Sequence, residues 1–216
     1  MLYRKSKIMA VHEYETRKRE LIALITAAFS GVERGNGVTL HEAWVIDVYG
    51  SKEERVKARK RDTETRWQDV PHQHISAGGN ALYFFDPEGF HYYLPAFLVW
   101  YVEHINSGSS NTFFIVDGFL EGRATDTYYQ ERFATLTGEQ SNAVAQYLVF
   151  VDSHQKKWVE SEAAALEAVQ KEMLARGEWT REEVERSRAA HRERRESDTN
   201  DETATRALDH YWGQFL

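Results

Sequence analysis

The chain contains no cysteine, which excludes disulfides, thiolate nucleophiles and cysteine-bearing zinc sites, and is compatible with a reducing compartment. It has no long hydrophobic run. The longest apolar stretch, 96–102, is far too short to cross a bilayer. Residues 1–12 carry basic side chains but no apolar region followed by a small-residue cleavage site, so no secretion signal is read and a cytoplasmic location is expected. Positive charge is in deficit: the formal net charge is −7. A nucleic-acid binder that works by broad electrostatics needs a positive face to displace counterions, so that class is set aside, and the acidic balance favours solubility instead. Against these absences stand 42% hydrophobic and 28% charged residues in 216, enough for one domain with a substantial core and an appended segment.

The densest apolar run lies at 81–104, where Asp86-Pro87 is a helix-start signal. The carboxylate accepts free N–H groups of the first turn, proline suits the first helical position, and Glu88 sits well at the positive end. Pro95 removes a backbone donor and disfavours helix at Leu94, which predicts a break or kink there and a second helix over 96–104. So many large side chains in one span demand a central helix pair buried on most sides.

Around this centre the periodicity predicts further helices. Leu21, Leu24, Ile25, Ala28 and Phe29 mark a first helix from residue 13 closed by Gly31. Thr39 with Glu42 is a capping-box pattern that opens a second over 40–49, and Ser51 caps a third over 52–63 that is almost wholly charged. Residues 67–74 read as irregular, and 112–120 as a short strand or irregular segment. Thr137 with Gln140 opens a long helix, with a break expected near His154, whose apolar face runs from Val144 to Trp158 and on through Leu166, Val169 and Met173 to Gly177. Thr180 with Glu183 repeats the capping signature, and 197–202 reads as a polar connection. Ala204, Ala207, Leu208, Tyr211, Trp212 and Phe215 form an amphipathic stripe that has to dock on the core or on a partner chain. The expected fold is therefore mainly α. A helical domain covers 13–154, a charged helical extension 155–202, and a docking helix 203–216.

The string Phe85-Asp86-Pro87-Glu88-Gly89-Phe90, followed by Tyr93-Leu94-Pro95, resembles the central segment of an uncharacterised bacterial family. Trp67-Gln68-Asp69-Val70-Pro71, Thr39-Leu40-His41-Glu42-Ala43, Arg132-Phe133-Ala134, Leu136-Thr137 and Glu139-Gln140 fit the same pattern. The likeness spans roughly 21–151, with a lesser echo at Tyr211-Trp212-Gly213. It implies membership of a domain family without an established activity, and carries over no cofactor and no catalytic residue.

Chemistry-bearing candidates are few. His72-x-His74 can offer two imidazoles to a metal, with Asp69 or His41 as further ligands. A solvated polar loop is the commoner meaning of such spacing. His41-Glu42 lacks the second histidine of a helical zinc protease, since Val45 holds that place. Asp86, Glu88 and His91 lie close enough on a helix for acid/base work, yet capping accounts for both acids. Trp67 beside Asp69 either edges a cleft or pins its loop to the core. Gly78-Gly79 lacks the lysine and hydroxyl residue of a phosphate loop. The leading expectation is a non-enzymatic protein-binding protein that neutralises or escorts a partner, with Trp67, Asp69, His72, His74 and His91 as candidate contacts and no cofactor. The alternatives are a metal-dependent hydrolase using His72, His74 and Asp69, and a self-associating structural protein.

Overall fold

The computed structural model describes residues 2–78, 80–107, 111–122, 125–197 and 202–216, the side chains of 2–10, 111 and 196–197 apart. The described residues form ten α-helices and three 3-10 turns, with no strand among them. The helices are α1 (Leu2–Ala28), α2 (Leu40–Asp47), α3 (Lys52–Arg59), α4 (His72–Ala77), α5 (Pro87–His104), α6 (Asn111–Leu120), α7 (Thr127–Phe133), α8 (Gly138–Ala175), α9 (Arg181–Ser197) and α10 (Thr203–His210). The 3-10 turns are Trp67–Asp69, Ala81–Tyr83 and Trp212–Phe215. The serine- and glycine-rich loop after α5 and the polar connection before α10 fall largely outside the described residues, as does Gly79.

Helix α5 is the centre. Asp86 Oδ1 accepts the N–H of Gly89 at 2.8 Å and also that of Val38 at 2.9 Å, so one carboxylate starts the helix and anchors the preceding loop to it. The two backbones meet so closely that a Cβ at Gly37 would lie 2.3 Å from the Gly89 nitrogen, and one at Gly89 2.4 Å from the Val38 carbonyl oxygen. Only glycine fits at that crossing. Pro95 does not divide the helix: α5 is continuous through it, in place of the expected pair. Leu94, Ala96, Phe97 and Leu98 are buried on either side, and packing of that whole surface outweighs the loss of one backbone donor.

Two further readings give way. The run 112–120 is helix α6, not a strand, and Val116, Phe119 and Leu120 share its buried face at helical spacing. Residues 67–74 are a 3-10 turn followed by α4, whose N-cap is Pro71 in an extended conformation, with its carbonyl accepting the N–H groups of His74 and Ile75. The short helix α7 has no counterpart in the expectation. Its Arg132 donates through Nε and Nη2 to Phe85 O at 3.1 and 2.6 Å and lies over the Tyr128 ring, tying α7 to the entry of α5.

Helix α8 is unbroken at His154. Its first half packs antiparallel against α1: Tyr14 meets His154, while Leu24 and Ala27 lie by Gly138 and Asn142. Beyond residue 155 the expected apolar stripe is not fully buried, since Trp158 and Val169 are exposed and Leu166 and Met173 only half-buried. Gly177, at φ 69°, ends the helix with Glu178 N–H bonded to Met173 O at 3.0 Å. Helix α9 then returns along α8, where Val184 and Gln170 are buried and Gln170 Nε2 donates to Ser187 at 3.0 Å. The C-terminal stripe docks on its own chain. Trp212 is fully buried, its Nε1 donates to Leu120 O at 2.8 Å, and Asn142 holds Phe215 O at 2.7 Å.

Candidate ligand-binding cavity

A cavity of about 560 Å³ opens between the C-terminal end of α5, helix α6, the middle of α8 and α10. That is within the usual span of small-ligand sites, about 300–1,000 Å³. Tyr101, Phe113, Phe114 and Trp158 give it aromatic faces among its polar residues. Phe114 and Trp158 are half-exposed at the mouth. Helical spacing produces the arrangement, because Phe113 and Asp117 of α6 and Glu121 in the turn that closes it recur every four residues and turn one stripe toward the opening.

Asp117 sits at the floor and is almost wholly buried. Its Oδ2 accepts the Tyr101 hydroxyl at 2.7 Å and its Oδ1 the Tyr147 hydroxyl at 3.1 Å. Burial pushes the carboxyl up to about 7, against the downward pull of the two phenols. Both phenols are in turn raised, by burial first and by the neighbouring carboxylate second. At the rim Arg206 of α10 forks onto both carboxylate oxygens of Glu121, a pair that raises the arginine further. His154 Nδ1 pairs with the Tyr14 hydroxyl at 3.1 Å, and burial lowers this histidine. Gln155 Oε1 is buried on the cavity wall without a hydrogen-bond partner. The polar floor therefore offers acceptors.

The residues singled out from the sequence do not gather here. Trp67 is buried and its Nε1 donates to Phe29 O at 3.0 Å, which pins its loop to α1. Asp69 is exposed, with Arg66 at 3.8 Å. His91 Nε2 meets Gln140 Oε1 at 3.0 Å, at the start of α8. His72 and His74 point to opposite sides of α4. His72 Nε2 is 3.5 Å from Glu103 and its ring lies by His104, whereas His74 stands edge-on to His41. Asp86 and Gly89 hold the structural roles already described.

The sequence reading missed Asp117, Glu121, His154 and Arg206. One signal was present: Asp117 is a lone acid inside an apolar run, a residue type that is rarely buried without a purpose.

A family model described as a family of unknown function (DUF6714) matches residues 17–173. The chain belongs to DUF6714. The DUF6714 match includes the α5, α6 and α8 walls of the cavity and stops within α8, so Thr203 and Arg206 of α10 lie outside it. It reaches further along α8 than the resemblance at 21–151 implied. No curated protein and no solved structure matches the chain. No described helix is long and apolar enough to cross a membrane.

Proposed function

We propose that this DUF6714 chain is a binding protein whose ligand is a compact aromatic or apolar group carrying a basic, hydrogen-bond-donating head. The observation that carries the reading is a cavity lined by four aromatic side chains with the buried Asp117 carboxyl at its floor. Aromatic faces attract a cation as well as an apolar body. Asp117 and the unpartnered Gln155 Oε1 accept hydrogen bonds from it, and the Glu121–Arg206 pair at the rim adds no net charge. Both oxygens of Asp117 are already held by phenols, which suits fixed recognition better than proton shuttling. A protein partner of the kind expected from the sequence can present such a group as a basic or aromatic side chain.

The experiment compares tryptamine with indole-3-acetate, two probes of one ring system and opposite charge, by calorimetry and by quenching of tryptophan fluorescence. Tryptamine should bind at least tenfold more tightly, Trp158→Ala should weaken it, and Asp117→Asn should remove the preference for the amine. Equal binding of both probes, or binding indifferent to Trp158 and Asp117, overturns the reading.

A further inference from the structure

On another part of the molecule, sharing no residue with the cavity, a histidine is buried at the first turn of α2. His41 is 1% exposed. Its Nδ1 lies 2.5 Å from Asp62 Oδ1, and its backbone N–H donates to Asp62 Oδ2 at 2.9 Å, so both carboxylate oxygens grip the same residue. Asp62 is held in place by Arg34, whose Nη1 donates to the Asp62 carbonyl at 2.6 Å. Glu64 answers the charge of that arginine at 3.6 Å. Trp44 covers His41 at 4.3 Å between ring centroids.

The other ring nitrogen is the anomaly. His41 Nε2 is buried and has no hydrogen-bond partner. Reading the pair as a plain ion pair does not help, because a protonated Nε2 would be a buried donor with nothing to receive it, at a cost of about 1–3 kcal/mol. A carboxylate bonded to one imidazole nitrogen while the other points into a site is the way metal-binding histidines are oriented. His74 of α4, half-buried, stands edge-on to His41 with ring centroids 4.6 Å apart. His41, Asp62 and His74 each place one possible ligand atom within 4.8 Å of the others.

We propose that His41, through Nε2, and His74 are ligands of a divalent transition metal of the zinc class, with Asp62 as the carboxylate that orients His41 through Nδ1. Imidazoles suit such an ion, with the remaining positions left to water on the side where His74 reaches solvent. Metal–nitrogen bonds of about 2.0–2.1 Å require the two imidazoles to bring their free nitrogens toward one point. His74 can supply that movement. It lies on a helix of six residues set between Pro71 and Gly78, whereas His41 and Asp62 are fixed in the interior.

A second group, His72, Glu103 and His104, lies on the opposite side of α4 and is largely exposed. It serves as the internal control. The test uses the full chain with any affinity tag removed and metal stripped by a chelator, titrated with Zn²⁺ and, for its visible spectrum, with Co²⁺. One ion per chain is expected, with Co²⁺ showing the intense bands of a four-coordinate site. His74→Ala should weaken Zn²⁺ binding by at least 100-fold, and Asp62→Asn by about 10–100-fold. His72→Ala should leave it unchanged. No saturable binding to the wild type overturns the proposal, as does loss of binding in His72→Ala with retention in His74→Ala. Since Asp62 is interior, the two variants on α4, each checked for native helicity, decide the matter if Asp62→Asn does not fold.

Discussion

Asp117 is a buried carboxyl whose protonation bears on stability below neutral pH. Folding moves its carboxyl from an ordinary 3.8 to about 7, because burial disfavours the charged form. The folded chain therefore keeps a proton that the unfolded chain has released across that window. Stability falls as pH rises from about 4 to about 7, and the full penalty, on the order of 4 kcal/mol, is present above it. Asp117→Asn keeps the shape and removes the titration. The melting temperature of the variant should gain on that of the wild type steadily from pH 4 to pH 7 and run parallel above, as followed by circular dichroism. A constant difference across the range would show that the carboxyl is not shifted in this way. At this scale the sequence was least legible. His41 and His74 were both recognisable as imidazoles with possible metal chemistry, but Asp62, which holds His41, is an ordinary loop acid until the chain brings it under α2. Asp117 acquires its character only from Tyr101 and Tyr147, 16 and 30 residues away.

Helix boundaries were far more legible, because caps are local. Ser51 with Glu54 and Thr137 with Gln140 make both reciprocal bonds of the capping box, and Thr180 with Glu183 does so too. What failed was any decision that depends on tertiary burial. Pro95 argued locally for a break, and packing on both sides kept α5 whole. The run 112–120 was too short for periodicity to decide between strand and helix. The apolar residues of distal α8 looked like a core stripe, yet only α9 covers that part, and thinly. This predicts two stabilities in one molecule. Val184, 6% exposed, is the buried apolar residue by which α9 holds to α8. Val184→Asp should free the amides of α9 to exchange hydrogen rapidly while those of α5 stay protected, with a small change in global melting. Equal loss of protection in α5 would mean that α9 is integral to the core.

The whole molecule is held together late in the chain. Trp212 fills the space between α6, α7 and α8, against Phe133 at 4.7 Å between ring centroids. Trp212→Ala should cost about 3–5 kcal/mol in urea unfolding, the usual range for a buried tryptophan. It should also weaken tryptamine binding, because the same segment carries Arg206 to the rim of the cavity. A large loss of stability with binding intact in the residual folded protein would separate the dock from the cavity.

The bond from Trp212 to Leu120 spans 92 residues, and that distance has a meaning during synthesis. In a nascent chain that has emerged only as far as α8, the wall formed by α10 does not yet exist. Until residues 203–216 are made, the cavity is an open apolar trough in need of protection from other chains. Closure of that side of the cavity therefore waits on a segment made long after α6.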